Sequence, residues 1–255
     1  MSELCLVTGG AGFIGSHLVE ALTAEGRPVR VLDDFSTGLR ANLESIQPRP
    51  EIVEGDIADA DGVQRAMKDV GVVFHLGAVA SVQRSVEDPL GSHRVGATGT
   101  VTVLDAARRA SVRRLVFAAS SSAYGIPAGD VQSEDDPLRP LSPYAASKLA
   151  GEHYCAAFSE VYGLETVRLR YFNIYGPRQT PDSPYAAVIP LFFQAMLAGR
   201  SPFVNGDGLQ SRDFTFVEDA VQANLLAAET PGISGRVCCS SWARQSKRSL
   251  GDSLR

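Results

Sequence analysis

The chain is poor in the residues that build metal centres and covalent frameworks. Its 255 residues include four cysteines and four histidines. Cys5, Cys155, Cys238 and Cys239 have no zinc-site spacing, and two of them are adjacent. No disulfide framework is suggested, which fits a reducing cytoplasm. His17, His75, His93 and His153 are scattered, so each reads as structural and no metal site is expected. No apolar run approaches the roughly 20 residues that a membrane span needs. The apolar stretch Leu4-Cys5-Leu6-Val7 has no basic segment ahead of it, so neither a span nor a signal peptide is expected. Positive charge is in deficit: a net charge of −5 argues against non-specific nucleic-acid binding. Repeats and low-complexity tracts are absent. What remains, with 44% hydrophobic and 21% charged residues, is a globular protein of one α/β domain, or one domain and a smaller lobe.

Leu4 to Val7 reads as a strand running into Thr8-Gly9-Gly10-Ala11-Gly12-Phe13-Ile14-Gly15, and a helical pattern follows through His17, Leu18, Ala21 and Leu22. This is strand, glycine turn, helix. Gly9 permits the tight turn, Gly12 lets backbone approach a pyrophosphate, and Gly15 lets the helix pack closely on the strand. The helix N-terminus offers unpaired N–H groups to phosphates. The spacing is Gly-x-x-Gly-x-x-Gly, which on its own can also be purely structural. A second strand, Pro28 to Leu32, ends at Asp33, where an acid meets the adenosine ribose hydroxyls. A carboxylate there repels a 2′-phosphate, so NAD is expected over NADP. Asp34 reads as a turn residue.

Strands and helices then alternate. Glu51 to Glu54 leads to Gly55-Asp56-Ile57, and Asp61 to Val70 reads as a helix. Val72 to Leu76 is a buried strand ending in Gly77-Ala78, and Thr98 to Ala110 looks helical. Leu115 to Ala119 is a strand running into three serines, a helix runs from near Tyr144 to about Tyr162, and Thr166 to Arg170 is the next strand. This rhythm implies a doubly wound, Rossmann-type parallel sheet with helices on both faces, whose ligands bind beyond the strand carboxyl ends. Past Tyr175 a breaker-rich loop and a helix from Val188 to Leu197 suggest a smaller substrate lobe. The expected division is 1–175 for the nucleotide domain, 176–237 for part of the lobe, and 238–255 for an atypical tail.

Tyr144 and Lys148 stand four apart at the start of a long helix, one above the other on one face. A nearby ammonium favours the phenolate. A free tyrosine titrates near ~10, so a base useful at neutral pH needs a drop of roughly three units, about 4 kcal/mol. One lysine supplies only part of that. A lone Tyr-x-x-x-Lys is most often an ordinary helix face, and the neighbouring motifs change that reading.

Four signatures stand in one order: Thr8 to Gly15, Ser120-Ser121-Ser122-Ala123-Tyr124-Gly125, Ser142-Pro143-Tyr144-Ala145-Ala146-Ser147-Lys148, and Arg170-Tyr171-Phe172-Asn173-Ile174-Tyr175-Gly176-Pro177-Arg178-Gln179. Together they resemble the extended short-chain dehydrogenase/reductase family, the NAD-dependent nucleotide-sugar epimerases and dehydratases, over residues 3 to about 237. Pro184 to Pro190 and Asn205-Gly206-Asp207-Gly208 with Ser211 to Phe214 are most similar to the UDP-sugar 4-epimerase branch. The resemblance implies Tyr144 as base, Lys148 as its electrostatic partner and ribose clamp, and Ser120 as the hydroxyl that polarises the sugar O4. It implies an NAD site formed by Gly9, Gly12, Phe13, Ile14, Gly15, Asp33, Asp56, Ile57, Leu76, Ala78 and Tyr171, with Tyr144 and Lys148. On the substrate side it implies Asn173, Val188 and Arg212 at the uridine diphosphate, with Ser81 and Ser121 as further contacts. It also implies a homodimer formed through the helix that carries Tyr144.

The pattern departs from that family in places. Gly96 stands where an asparagine is usual, and Asn205 where an aromatic is common. From Cys238 onward the sequence matches nothing of the family's strand, helix and late phosphate-binding arginine, and a truncated or frame-shifted product is expected. Dehydratases and decarboxylases of the family place acidic residues just after the position of Ser120, where this chain has Ser121 and Ser122. Inversion at C4 of a UDP-hexose is therefore expected over elimination. A non-catalytic NAD-binding homologue is the alternative from a different class.

Overall fold

Short apolar runs buried on both faces make a parallel sheet here. The computed structural model describes residues 3–126, 132–180, 187–204 and 206–239. In chain order the elements are β1 (Leu4–Thr8), α1 (Phe13–Ala24), β2 (Val29–Asp33), α2 (Ala41–Glu44), β3 (Glu51–Glu54), α3 (Ala60–Ala66) and β4 (Val70–His75). Then come α4 (Val82–Glu87), α5 (Pro89–His93), a π-turn (Arg94–Thr98), α6 (Gly99–Arg109), β5 (Arg114–Ser120), a 3-10 turn (Ser121–Tyr124) and α7 (Pro143–Tyr162). The chain continues through β6 (Glu165–Tyr171), β7 (Asn173–Tyr175), α8 (Val188–Leu197), β8 (Phe214–Phe216), α9 (Val217–Glu229) and β9 (Val237–Cys239).

Seven strands pair in the order β3-β2-β1-β4-β5-β6-β9, every pairing parallel, and β7 pairs with β8 apart from them. The period-two alternation of strands divides the core. Cys5, Val7, Phe74, Val116 and Ala118 point to the face covered by α1 and α9. Leu6, Val73, Leu115, Phe117 and Ala119 point to the opposite face, with Val63 and Met67 from the α3 segment, Leu104 of α6 and Cys155 of α7. This is the expected Rossmann-type α/β sheet, with helices on both faces.

The differences from the sequence expectations are local. The helix expected over 61–70 is shorter, because the chain turns at Asp69 (φ 63°) and β4 begins at Val70. The segment after Ser81 forms α4 and α5, started by the side chains of Ser81 and Asp88, with Pro89 in the first turn of α5. Cys238 and Cys239, expected in the tail, form the edge strand β9 beside β6. Part of the Pro184–Pro190 motif, Asn205 and residues 240–255 lie outside the described residues.

Two buried cations tie distant segments together. Arg114, at the start of β5, donates through Nη1 to the carbonyls of Ala227 (3.0 Å), Ala228 (3.2 Å) and Thr230 (2.6 Å) at the C-terminal end of α9. It also pairs with Glu165 at 2.7 Å. A cation at that end of a helix satisfies carbonyls with no intrahelical partner and complements the macrodipole. Arg170 of β6 forms a forked pair with Glu152 of α7, the closest contact 2.8 Å, and donates to Tyr124 Oη at 2.8 Å. The Arg170 and Glu152 side chains are 4% and 2% exposed. Removing one partner of such a pair leaves a buried charge uncompensated. Glu152→Gln should therefore lower folding stability by about 3 kcal/mol, read from urea unfolding. A loss below about 1 kcal/mol, the surface ion-pair scale, would show that water reaches the guanidinium.

Candidate active site

The glycine turn lies at the carboxyl end of β1. Gly9 has φ +69°, and a Cβ there would come within 2.8 Å of Gly77 N. A Cβ on Gly15 would collide with Gly9 O. These two positions admit glycine alone, because backbones touch there. Gly12 precedes α1 in an extended conformation and supplies no side-chain cap, and a Cβ built on it meets just one atom, Gly9 O at 3.2 Å. The first-turn N–H groups, those of Phe13 and Ile14 among them, thus face an open side at the positive end of a twelve-residue helix. That cradle suits a pyrophosphate.

Asp33 ends β2, nearly buried. Its Oδ2 accepts from Ala11 N and its Oδ1 from Phe35 N, both at 2.9 Å. Burial pushes its carboxyl above the ordinary value, and those two N–H groups oppose the shift. Asp34 accepts from Ser36 N and Ser36 Oγ, as a turn aspartate does. Asp56 accepts from Ala58 N at 2.8 Å and pairs with Arg94 of the π-turn at 2.6 Å. Burial pushes the Asp56 carboxyl up, but Ala58 N–H and Arg94 together hold it below the usual range. Ile57 is buried, and its side chain borders both Gly77 and Gly99. Leu76 continues from β4 with its N–H on Thr8 O at 3.1 Å, and Ala78 follows two residues on, half-buried.

Ser120 ends β5, two strands from the glycine turn, and is 9% exposed. Its Oγ accepts from Ser122 N (3.2 Å) and Ser122 Oγ (2.8 Å), which leaves its own proton for another acceptor. Tyr144 stands in the first turn of α7, whose start is fixed by Ser142 Oγ accepting from Ala145 N at 3.1 Å and by Pro143. Burial pushes the phenol up, and a hydrogen bond with the Ser120 side chain pulls the other way. Lys148, one turn along, is 4% exposed. Its Nζ donates to Ala118 O at 2.7 Å and lies 5.0 Å from the Phe117 ring centre. Burial pushes its ammonium down to about 8, against the opposing fields of Cys155 and Glu152. Ser120, Tyr144 and Lys148 are thus brought together, and Ser121 opens the 3-10 turn beside them.

The substrate-side residues are more dispersed. Ser81 caps α4, accepting from Arg84 N at 3.2 Å. Asn173 in β7 donates to Asp213 O at 3.0 Å, tying the 211–214 segment to the strand. Val188 opens α8, exposed, and Arg212 is an exposed side chain whose Nη1 donates to its neighbour Ser211 O at 2.7 Å. Tyr171 is buried, its hydroxyl taken by Asn224 Nδ2 of α9 at 2.6 Å. Burial pushes that phenol up.

Sequence reasoning missed the partners that hold these residues. Arg94 carried no motif, and the Pro177-Arg178 strap gave no sign that it fastens to α1 through His17 Nε2 on Pro177 O (2.9 Å) and Arg178 on Glu20 (2.6 Å). His75, set aside as structural, is fully buried between two threonines.

These arrangements have counterparts in known proteins. A UDP-glucose 4-epimerase of Mycolicibacterium smegmatis is 44% identical over 250 residues, which are 96% of this chain and 79% of that protein. A UDP-N-acetyl-alpha-D-glucosaminuronate decarboxylase of Bacillus cytotoxicus is 38% identical over 234 residues, 90% of this chain and 72% of that protein. Among solved structures, the UDP-N-acetylglucosamine 4-epimerase of Methanobrevibacter ruminantium in complex with UDP-N-acetylmuramic acid superposes with a TM-score of 0.87 at 41% identity, covering 93% of this chain and 76% of that one. The family model described as NAD dependent epimerase/dehydratase matches residues 5–237, from the first strand to the last. With the glycine cradle, the strand-end acid and the helix carrying Tyr144 all inside that span, the chain belongs to the NAD-dependent epimerase/dehydratase family.

Proposed function

We propose that this protein inverts C4 of a UDP-hexose through a transient 4-keto sugar. The observation that carries the reading is the cluster at the ends of β5 and α7: the Ser120 side chain hydrogen-bonded with the Tyr144 phenol, and Lys148 buried one turn further on. Tyr144 takes the proton of the sugar 4-hydroxyl and later returns it. Ser120 donates to O4, holding the oxygen as its C–O bond gains double-bond character. Lys148 holds a positive charge near the phenol and clamps the ribose. Bound NAD supplies the hydride acceptor and donor for C4. Gly9, Gly12, Phe13, Ile14 and Gly15 hold its pyrophosphate, and Asp33 its adenosine ribose. Asp56, Ile57, Leu76, Ala78 and Tyr171 complete its walls. Asn173, Val188 and Arg212, with Ser81 and Ser121, face the nucleotide sugar, and the segment from 176 to 237 supplies that side of the site. For Arg212 this requires its guanidinium to leave Ser211 O for a phosphate.

Loss of water or carbon dioxide after the same oxidation is the second reading, favoured by the decarboxylase relative. The serines that follow Ser120 favour epimerisation, since an acid for elimination is missing there. We place the protein in the cytoplasm, where its four free thiols suit a reducing environment. We also propose a homodimer through α7, whose outer surface exposes Tyr154, Val161 and Tyr162.

Incubation with a panel of UDP-hexoses and NAD, followed by NMR, should show inversion at C4. A product that has lost water or carbon dioxide would transfer the assignment to the second reading. Tyr144→Phe should keep NAD binding and lose at least roughly a hundredfold in turnover, the scale of general-base catalysis. Near-normal turnover in that variant would place the base elsewhere. NAD should bind at least roughly tenfold more tightly than NADP, about 1.4 kcal/mol. Asp33→Asn, which removes the charge and keeps one carbonyl acceptor, should narrow that gap in calorimetry, and tighter NADP binding by the unaltered protein would refute the role of Asp33. Val161→Arg should shift sedimentation from dimer to monomer, and a monomer before substitution would dispose of the dimer.

A further inference from the structure

His75 closes β4 with no exposed surface, and its hydrogen bonds allow one assignment of protons. Thr100 Oγ1 lies 2.6 Å from Gly96 O and can only donate to that carbonyl. Its one proton is thereby committed, so in the 3.1 Å contact between Thr100 Oγ1 and His75 Nε2 the ring nitrogen is the donor. In the neutral ring the other nitrogen, Nδ1, is then a bare acceptor and takes the proton of Thr8 Oγ1 at 2.7 Å. Thr8 Oγ1 in turn accepts from Gly77 N at 3.1 Å. Burial and the Lys148 charge hold the imidazole neutral, pushing it down to about 3. A protonated ring would aim a second N–H at Thr8 Oγ1, whose own proton would then lose Nδ1 as its acceptor.

The hydrogen-bond chain, with the packing contacts at its end and flank, links three parts of the site. At one end Thr8 immediately precedes Gly9, and Gly77 is the backbone that Gly9 touches. At the other end stands Gly96, where a Cβ would collide with Ser147 Oγ, and Ser147 Oγ donates to Tyr144 O at 2.8 Å. On its flank the His75 ring stands 5.6 Å from the Phe117 ring, the same ring that Lys148 Nζ overlies. An aliphatic side chain could fill this volume. It could not accept at one end and donate at the other, which neutral imidazole does across a rigid ring.

We infer that His75 is a positioning residue: through Thr8 and Thr100 it sets the spacing between the glycine turn that holds NAD and the helix that carries Tyr144 and Lys148. The second half of this statement rests on the roles proposed above for Tyr144 and Lys148, whereas the first half concerns NAD alone.

The test pairs a variant that removes each hydroxyl with one that keeps it. Thr8→Val should weaken NAD binding roughly tenfold in calorimetry, the scale of leaving buried polar groups unpaired, while Thr8→Ser should stay within about threefold of the unaltered protein. Thr100→Val should lower kcat with little change in the sugar KM, and Thr100→Ser should restore it. Nitrogen-15 NMR of the unaltered protein at about pH 5, where a free histidine is mostly charged, should show His75 neutral with its proton on Nε2. A proton on Nδ1 or a charged ring would overturn the inference. So would a Thr8→Val protein that melts lower yet binds NAD as before, since the network would then serve stability alone. Equal NAD affinities for the Val and Ser variants would overturn it as well. If the unaltered protein binds NAD but turns over no UDP-hexose, the proposed function fails, and the calorimetric and NMR arms still decide the role of His75.

Discussion

Where the chain leaves β1, Gly9 meets the Gly77 backbone beyond β4 and Gly15 of α1 meets Gly9 O, so neither glycine has room for a methyl group. The rest of the site follows from this packing of the turn. It brings the start of α1 to the end of β1 without a side-chain cap, so the helix end remains available to an anion. It sets Gly77 against Gly9, and with it the direction in which the chain leaves β4. It also turns Ala11 N inward, where Asp33 meets it. The turn thereby fixes the start of α1 and the Asp33 carboxylate relative to each other.

The second constraint is electrostatic. Tyr144 and Lys148 are both desolvated, and burial favours the neutral form of each: the phenol is pushed up and the ammonium down to about 8. Lys148 Nζ is held by Ala118 O, and the group acting directly on the Tyr144 phenol is Ser120. Tyr144 and Lys148, one turn apart, thus share a low-dielectric site. There, any added positive charge near the phenol acts with little screening.

Much of this was legible in the amino-acid order because it depends on local periodicity. The strands β1, β4 and β5 are near-continuous apolar runs, β2 and β6 interleave apolar and charged residues, and α7 begins at Ser142-Pro143, a cap and a first-turn proline. Helices α4 and α5 carried equivalent signals at Ser81 and at Asp88-Pro89, but each is too short for apolar spacing to support them. β9 has three residues and exists because β6 offers it an edge. His75 was not legible as anything but a buried histidine. Its partners Thr8 and Thr100 lie 67 and 25 residues away, and no local pattern encodes such pairs. A motif that names Arg212 likewise cannot show that its guanidinium rests on Ser211.

The arginine at the foot of β5 ties the order of assembly to the order of the sequence. Arg114 lies in the middle of the sheet's connectivity, but the carbonyls that receive its Nη1 protons belong to residues 227, 228 and 230. Until α9 has been made and docked, a cation beside the core waits in a nascent sheet with its main acceptors absent, and water must enter to solvate it. In the finished fold the buried guanidinium is thus satisfied by carbonyls more than a hundred positions further along the chain, so the middle of the sheet and the end of the last helix depend on each other.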